Sequence, residues 1–274
     1  MNTASTSLAR ADSAIGILLK QWRAMRRLSQ LDLALTADTS ARHLSFIETG
    51  RAQPSRAMVL RLAEALEVPL RDRNDMLTAA GYTPHYRERP LSDESMEQVR
   101  KALDLMLAQH EPFPALVING RYDLLMANQG AVGMMAALNL MGGDGPPNML
   151  RTLFDPNGAR GLIENWEEVA RALLERSRRE ASRRGGDRAM EELTEELLNY
   201  PGVPKAWRAA PDRDAELPPI LNVIFAHGDL RLSWFSTLAT FGTPQDVTLQ
   251  ELHIEFFYPA DDATENWARQ AGTA

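Results

Sequence analysis

Ser29-Gln30-Leu31-Asp32-Leu33-Ala34-Leu35-Thr36-Ala37-Asp38-Thr39-Ser40-Ala41-Arg42-His43-Leu44-Ser45-Phe46-Ile47-Glu48-Thr49-Gly50 is the stretch that decides how this chain folds. Ser29 and Asp32 have capping-box spacing: the serine oxygen accepts from the third backbone N–H of a helix while the acid reaches back. That predicts a short helix over residues 30–37, partly burying Leu31, Leu33, Ala34 and Leu35. Asp38-Thr39-Ser40 interrupts it with cap-forming residues. A second short helix is predicted over 41–48, with Leu44 and Ile47 inward and Gly50 as its left-handed stop. Two short helices joined by a few polar residues make a helix-turn-helix.

The flanks complete a unit. Ile15, Leu18, Leu19, Trp22 and Met25 recur at helical spacing, and Arg26-Arg27 stands where the helix dipole favours cations. Pro54-Ser55 opens a fourth helix carrying Met58, Leu60, Leu62, Ala63 and Leu66, and a fifth covers 71–80 and stops at Gly81. The expectation is an all-α, five-helix, repressor-like domain over residues 10–84.

Charge is divided along the chain. Net charge is -7, yet residues 1–90 hold 13 basic and 9 acidic side chains, and the remainder 17 and 28. The first part, at +4, can approach phosphate; the rest, at -11, must face elsewhere. With no cysteine, disulfides, thiolate zinc sites and cysteine nucleophiles are excluded, and a reducing cytoplasm suits the chain. Residues 1–10 lack the basic start and apolar core of a signal peptide, and the most apolar run, 131–141, is too short to cross a bilayer.

Leu33-Ala34, then Ser40 through Arg51, then Pro54-Ser55 resemble the Xre and phage-repressor helix-turn-helix class. The fuller set, with Pro69-Leu70-Arg71-Asp72-Arg73-Asn74 and Ala80-Gly81-Tyr82-Thr83-Pro84, is similar to the MmyB-like regulators. The resemblance implies that the helix opening at Ser40 enters the major groove of double-stranded DNA. By position, Arg42 is the best base reader, because a guanidinium grips guanine bidentately. Ala41 can meet a thymine methyl, Ser45 lies one turn on, and His43 reads either a base or a phosphate. Phe46 either faces the groove or fills the core. Gln30, Thr49 and Arg51 resemble phosphate-binding positions. Arg23 and Glu48 match positions that form a structural ion pair between the first and third helices.

Prolines at 84 and 90 end the apolar period, so a linker is placed over 85–94, with Ser92 or Asp93 capping the next helix. Met96, Val99, Leu103, Met106 and Leu107 form a helical stripe. Strands are expected at 115–118 and 124–127 about Asn119-Gly120, at 221–226 and 230–241 about His227-Gly228-Asp229, and at 249–258, where polar and apolar residues alternate. Helices are expected over 128–140, 165–184 and 188–200. The order predicts an α+β, PAS-like domain over 95–270, a five-stranded antiparallel sheet with helices on one face. The MmyB-like resemblance continues through residues 110–117, 163–166, 235–244, 246–249 and 251–252. It implies a ligand-binding domain, with small apolar, fatty-acid-like molecules as ligands.

Met126, Met134, Met135, Met141, Trp166, Trp234 and Phe235 either line an apolar cavity or fill a core; methionine adapts to irregular contents. A ligand carboxylate would call for an arginine, with Arg151 and Arg231 as candidates. No metal-ligand spacing and no Gly-rich phosphate loop is present, so neither a metal nor a cofactor is expected. No nucleophile, base and oxyanion set can be assembled, which argues against an enzyme. Two readings remain: a homodimeric, ligand-responsive DNA-binding regulator, or one whose second domain serves only for dimerisation or protein contact.

Overall fold

The computed structural model describes residues 13–140, 147–183, 187–209 and 220–272. Met141, residues 10–12, the break at Gly142 and the pair Gly185-Gly186 lie outside the described residues. The chain forms two compact units, the first running to Arg87 and the second holding most of the residues from Glu88 onward.

The first unit is all-helical: α1 (Ala14–Met25), α2 (Gln30–Thr36), α3 (Ala41–Glu48), α4 (Arg56–Ala65) and α5 (Leu70–Ala79). Serines cap four of them, Ser13, Ser29, Ser40 and Ser55 each accepting a backbone N–H of the first turn. Ser29 and Asp32 form the full capping box. Asp38 turns the chain between α2 and α3 with φ 49°, a conformation a short polar side chain tolerates. One core holds Ile15, Leu19, Trp22, Leu33, Leu44, Ile47, Leu62, Leu66, Met76 and Leu77, all nearly inaccessible. The amide of Asn74 accepts from the N–H groups of His85 and Tyr86 and donates to the Tyr86 carbonyl, which carries the unit past Pro84.

Gly16 is where α1 meets the end of α3. A Cβ there would stand 2.5 Å from the Glu48 carbonyl oxygen, inside any tolerated contact with backbone. Gly16→Ala is therefore expected to destabilise the unit by about 1–3 kcal/mol through overpacking. Urea unfolding followed by hydrogen exchange in α1 and α3 checks this; unchanged protection would show that the helices separate freely.

The second unit holds α6 (Glu97–Gln109), β1 (Ala115–Ile118), β2 (Leu124–Ala127), α7 (Gln129–Ala137), α8 (Met149–Phe154), α9 (Trp166–Arg183), α10 (Arg188–Leu198), β3 (Asn222–His227), β4 (Leu230–Ala239), α11 (Val247–Glu251), β5 (His253–Pro259) and α12 (Asp262–Ala271). The strands form an antiparallel five-stranded sheet in the order β2-β1-β5-β4-β3, the α+β fold expected. Alternation along each strand divides the side chains. Leu116, Ile118, Leu232, Trp234 and Phe257 join a core with α7, α8, α9 and α10. Ala115, Val117 and Ile254 pack with Leu103 and Leu107 of α6. Helices thus cover both faces, not one: α6 carries its own apolar stripe and needs a sheet face to bury it.

α8 lies where no helix is expected, and two later elements also differ from the sequence expectation. Residues 247–251 form a helical turn and the strand starts at His253, because local alternation over five residues does not separate a strand from a single turn. α12 is the second, where no helix is expected. Its signal is present all the same: Asp261 caps Thr264, Asp262 and Glu265 lie in the first turn, and Arg269 in the last.

Asn128 joins the elements. Its side-chain oxygen accepts from the Ala115 and Ala131 N–H groups, and its amide donates to the Leu107 and Phe113 carbonyls. One 5% exposed side chain therefore ties α6, β1 and α7.

Candidate nucleic-acid interface and effector site

α3 is oriented by a buried network. Glu48 is fully inaccessible, and its carboxylate accepts from Arg23 Nε at 2.8 Å, from Arg23 Nη2 at 3.1 Å and from Gln30 Nε2 at 2.7 Å. Arg23 also donates to the Leu28 carbonyl. α1, α2 and α3 are locked together at one carboxylate, and the expected Arg23–Glu48 pair is its centre. Gln30, read as a phosphate contact, is engaged by Glu48 here. Its amide has one further N–H, so the network and a phosphate do not exclude one another.

The outer face of α3 is polar and open. Ser40 caps the helix by accepting from the His43 N–H at 3.1 Å. Arg42 in the first turn is exposed, and Ala41, His43 and Ser45 are half-buried. Phe46 is also half-buried and packs at the edge of the unit rather than in its core. The Arg42 guanidinium lies 5.4 Å from the Phe46 ring centroid and that of Arg51 lies 5.9 Å from it. The ring is a platform that gathers two cations over one surface, a favourable placement of charge over π-face. The Thr49 hydroxyl donates to the Ser45 carbonyl at 2.7 Å, so its oxygen is left to accept, not to donate to a phosphate. The joint Arg42–Phe46–Arg51 arrangement is not among the sequence expectations; the i, i+4 spacing of Arg42 and Phe46 is the signal that could have found it.

The proposed ligand-lining residues do not share one cavity. Trp234 is inaccessible, and Met134 and Trp166 are buried, all in the core between the sheet and the helices, with Met135 packed against it. Trp166 donates through Nε1 to the Leu153 carbonyl, stacks on Trp207 and is covered by Arg160 at 3.8 Å. Met126 lies on the other sheet face, against α6. Phe235 is also on the opposite face from Trp234, stacked on Tyr258 and lining an open groove of about 420 Å³ with Ile220, Asn222, Pro259 and Ala260. Arg151 and Arg231 are surface residues already paired. Arg151 makes a bidentate bridge to Glu196 at 2.7 and 2.8 Å, and Arg231 contacts Glu164 at 3.0 Å. Arg151 lines a polar cleft of about 310 Å³ with Asp123, Glu192 and Glu196, a setting unlike that of an apolar pocket.

A polar group that the sequence did not single out joins α9 to the turn between β1 and β2. Tyr122, 5% exposed and with φ 65°, donates through its hydroxyl to Glu180. Arg176 donates through Nε to Glu180 at 2.9 Å and lies over the Tyr122 ring. Burial pushes the Tyr122 phenol well above its usual range. Glu255 in β5 accepts from the Ser236 hydroxyl at 2.6 Å. Burial pushes its carboxyl up, opposed by that bond and by attraction from Arg176. Among the described residues no group of acidic or imidazole side chains could hold a metal, and no helix is long and apolar enough to cross a membrane.

Known proteins show the same division. The helix-turn-helix family model matches residues 19–72, and the model of the MmyB-like transcription regulator ligand binding domain matches residues 99–271. No curated protein matches the chain. Among solved structures, an RNA-binding light-oxygen-voltage receptor is similar at 12% identity and a TM-score of 0.27, over 100% of this chain and 68% of that one, too distant a likeness to bear on fold or function.

Proposed function

The chain belongs to the MmyB-like transcription regulators, a DNA-binding domain with a ligand-binding domain, and on that premise we propose that it reads a specific DNA site through α3 while an effector with an apolar body occupies the sheet domain. The observation that carries the first part is the exposed Arg42 on the first turn of α3, held over Phe46 beside Arg51. A recognition helix presents that turn to base edges, and a guanidinium matches guanine O6 and N7. Arg51 stands where a phosphate contact sets register.

The second part is supported by the match to a ligand-binding domain and by the inner sheet face, where Leu116, Leu232, Trp234 and Phe257 are buried and Leu238 is part-open. A fatty-acid carboxylate finds neither Arg151 nor Arg231 open to it, since each holds a glutamate. Effector binding alters DNA affinity only as far as the effector prefers one of the protein's states. We read the protein as a cytoplasmic, non-enzymatic homodimer, because helix-turn-helix proteins bind paired half-sites about one helical turn apart.

Native mass spectrometry of the full-length protein, followed by solvent extraction, tests this reading. The expected result is a dimer carrying a reproducible small amphiphile per subunit. A dimer free of any such mass in repeated preparations would favour a second domain that only dimerises. A monomer, both free and on its DNA site, would remove the paired half-site argument.

A further inference from the structure

The turn between β1 and β2 buries its middle side chain and sets a charge on either side of it. Tyr122 is buried and donates its hydroxyl to Glu180, while its neighbours Arg121 and Asp123 both line the polar cleft of about 310 Å³. One wall of that cleft is this turn fastened to the start of α8. The buried Asn148 donates through its amide to the Arg121 carbonyl at 2.7 Å and to Asp123 Oδ1 at 2.8 Å. The Met149 N–H donates to the Tyr122 carbonyl at 2.8 Å. The other wall is α10, where Ala189, Glu192, Leu193 and Glu196 fall at i, i+3, i+4 and i+7 on one helix face. The bidentate Arg151–Glu196 bridge ties the two walls together. Ligand pockets run from about 300 to 1,000 Å³, so this one suits a small molecule.

Most of the charge in the cleft is already paired. Arg151 holds Glu196, and Glu192 accepts from Arg188 Nε at 2.8 Å, one turn back on α10. Two groups remain. Arg121 is exposed, and its hydrogen bonds among the described residues run through its backbone alone. Asp123 is half-buried and makes no ion-pair contact among the described residues. Its oxygens accept from neutral amides, Oδ1 from Asn148 and Oδ2 from Asn119 Nδ2 at 2.9 Å. The amides fix the carboxylate in place and bring no charge to offset it. A carboxylate has about four acceptor sites, so each oxygen keeps one open. One cation and one anion thus line the same cleft without joining each other.

We propose that this cleft binds a small zwitterion, a free α-amino acid, with its carboxylate on the Arg121 guanidinium and its ammonium on Asp123. A simple anion would gain Arg121 but would also face three carboxylates, and a simple cation would gain Asp123 and face an unpaired guanidinium. A dipolar ion meets both charges at once through charge-assisted hydrogen bonds. Leu193 and Ala189 give a short side chain an apolar patch on α10. Because the turn and α8 are already bonded together, binding has little left to order. The site makes no use of the apolar effector and stands whether or not the sheet domain holds one.

The probes are the common protein amino acids, screened by saturation-transfer NMR against the full-length protein. Each hit is then titrated at mildly acidic pH beside its methyl ester, which keeps only the ammonium, and its N-acetyl derivative, which keeps only the carboxylate. At least one amino acid is expected to bind, and each of its blocked derivatives to bind at least about tenfold more weakly, the loss of one charge-assisted contact. Arg121→Gln alters an exposed side chain that holds no other group among the described residues. It is expected to weaken the amino acid about tenfold and its methyl ester less than about twofold. No saturation transfer to any amino acid at about 10 mM would overturn the proposal. So would a blocked derivative that binds as tightly as its parent, or an amino acid held equally well by Arg121→Gln. The comparison of parent and derivatives uses the native chain alone, so the outcome does not hang on how the variant folds.

Discussion

Replacing Glu48 by Ala is expected to destabilise the helix-turn-helix unit by about 3–5 kcal/mol, the cost of breaking a buried ion pair from one side. The carboxylate is inaccessible and is the shared acceptor of three hydrogen bonds from Arg23 and Gln30. Its removal leaves a guanidinium whose side chain is only 21% exposed without its counter-charge, and a cavity beside Ile47 and Leu44. The loss is local to α1, α2 and α3, so a single melting curve of a two-unit chain is the wrong observable. Hydrogen exchange through residues 14–79 across a urea series isolates it. The expected result is loss of protection there with protection of the sheet retained. A change under about 1 kcal/mol would mean that water or a rearranged Arg23 replaces the contact. Glu48→Gln, which keeps an acceptor oxygen but not the charge, is expected to cost less than Glu48→Ala, because one of the bonds from Arg23 or Gln30 can persist.

How much of this was legible depends on what each signal encodes. Caps and turn chemistry are local, so Ser29, Asp32, Ser40 and Ser55 are readable from sequence and stand as helix caps. The sheet's strands come from β-rich runs and the turns between them, and the α+β fold with them. Which sheet face a residue joins is partly encoded too. Trp234 and Phe235 are neighbours in a strand and must point opposite ways, so parity alone argues against one cavity holding both. That Met126 packs on the α6 side of the sheet while Met134 joins the core on the other side is a matter of tertiary placement, which no local pattern carries. The Glu48 hub is half legible: its pair with Arg23 comes from resemblance, whereas Gln30 joins only because α2 lies against α3. The polar group at Tyr122 joins residues 58 positions apart, Tyr122 and Glu180, each unremarked in its own stretch.

The largest functional effect is expected from Arg42→Ala. If Arg42 grips a guanine, its loss removes a bidentate contact worth about 1–3 kcal/mol of discrimination, roughly fivefold to 150-fold in affinity for the selected site. Random DNA, bound through phosphates alone, is expected to lose less than about threefold. Arg51→Ala is the matched comparison. It lies 5.9 Å from the same Phe46 ring centroid and is expected to weaken specific and random DNA alike, lowering the salt slope by about 1. Phe46→Leu separates position from charge: both guanidinium groups remain, without the ring that gathers them. Its expected effect on the selected site lies between wild type and Arg42→Ala. The measurement is fluorescence anisotropy on a site selected from random DNA by the wild-type chain, at several salt concentrations. Equal losses on specific and random DNA for Arg42→Ala would move that residue from base edge to backbone. The reading head would then have to be sought at His43 and Ser45, the remaining polar side chains on that face of α3.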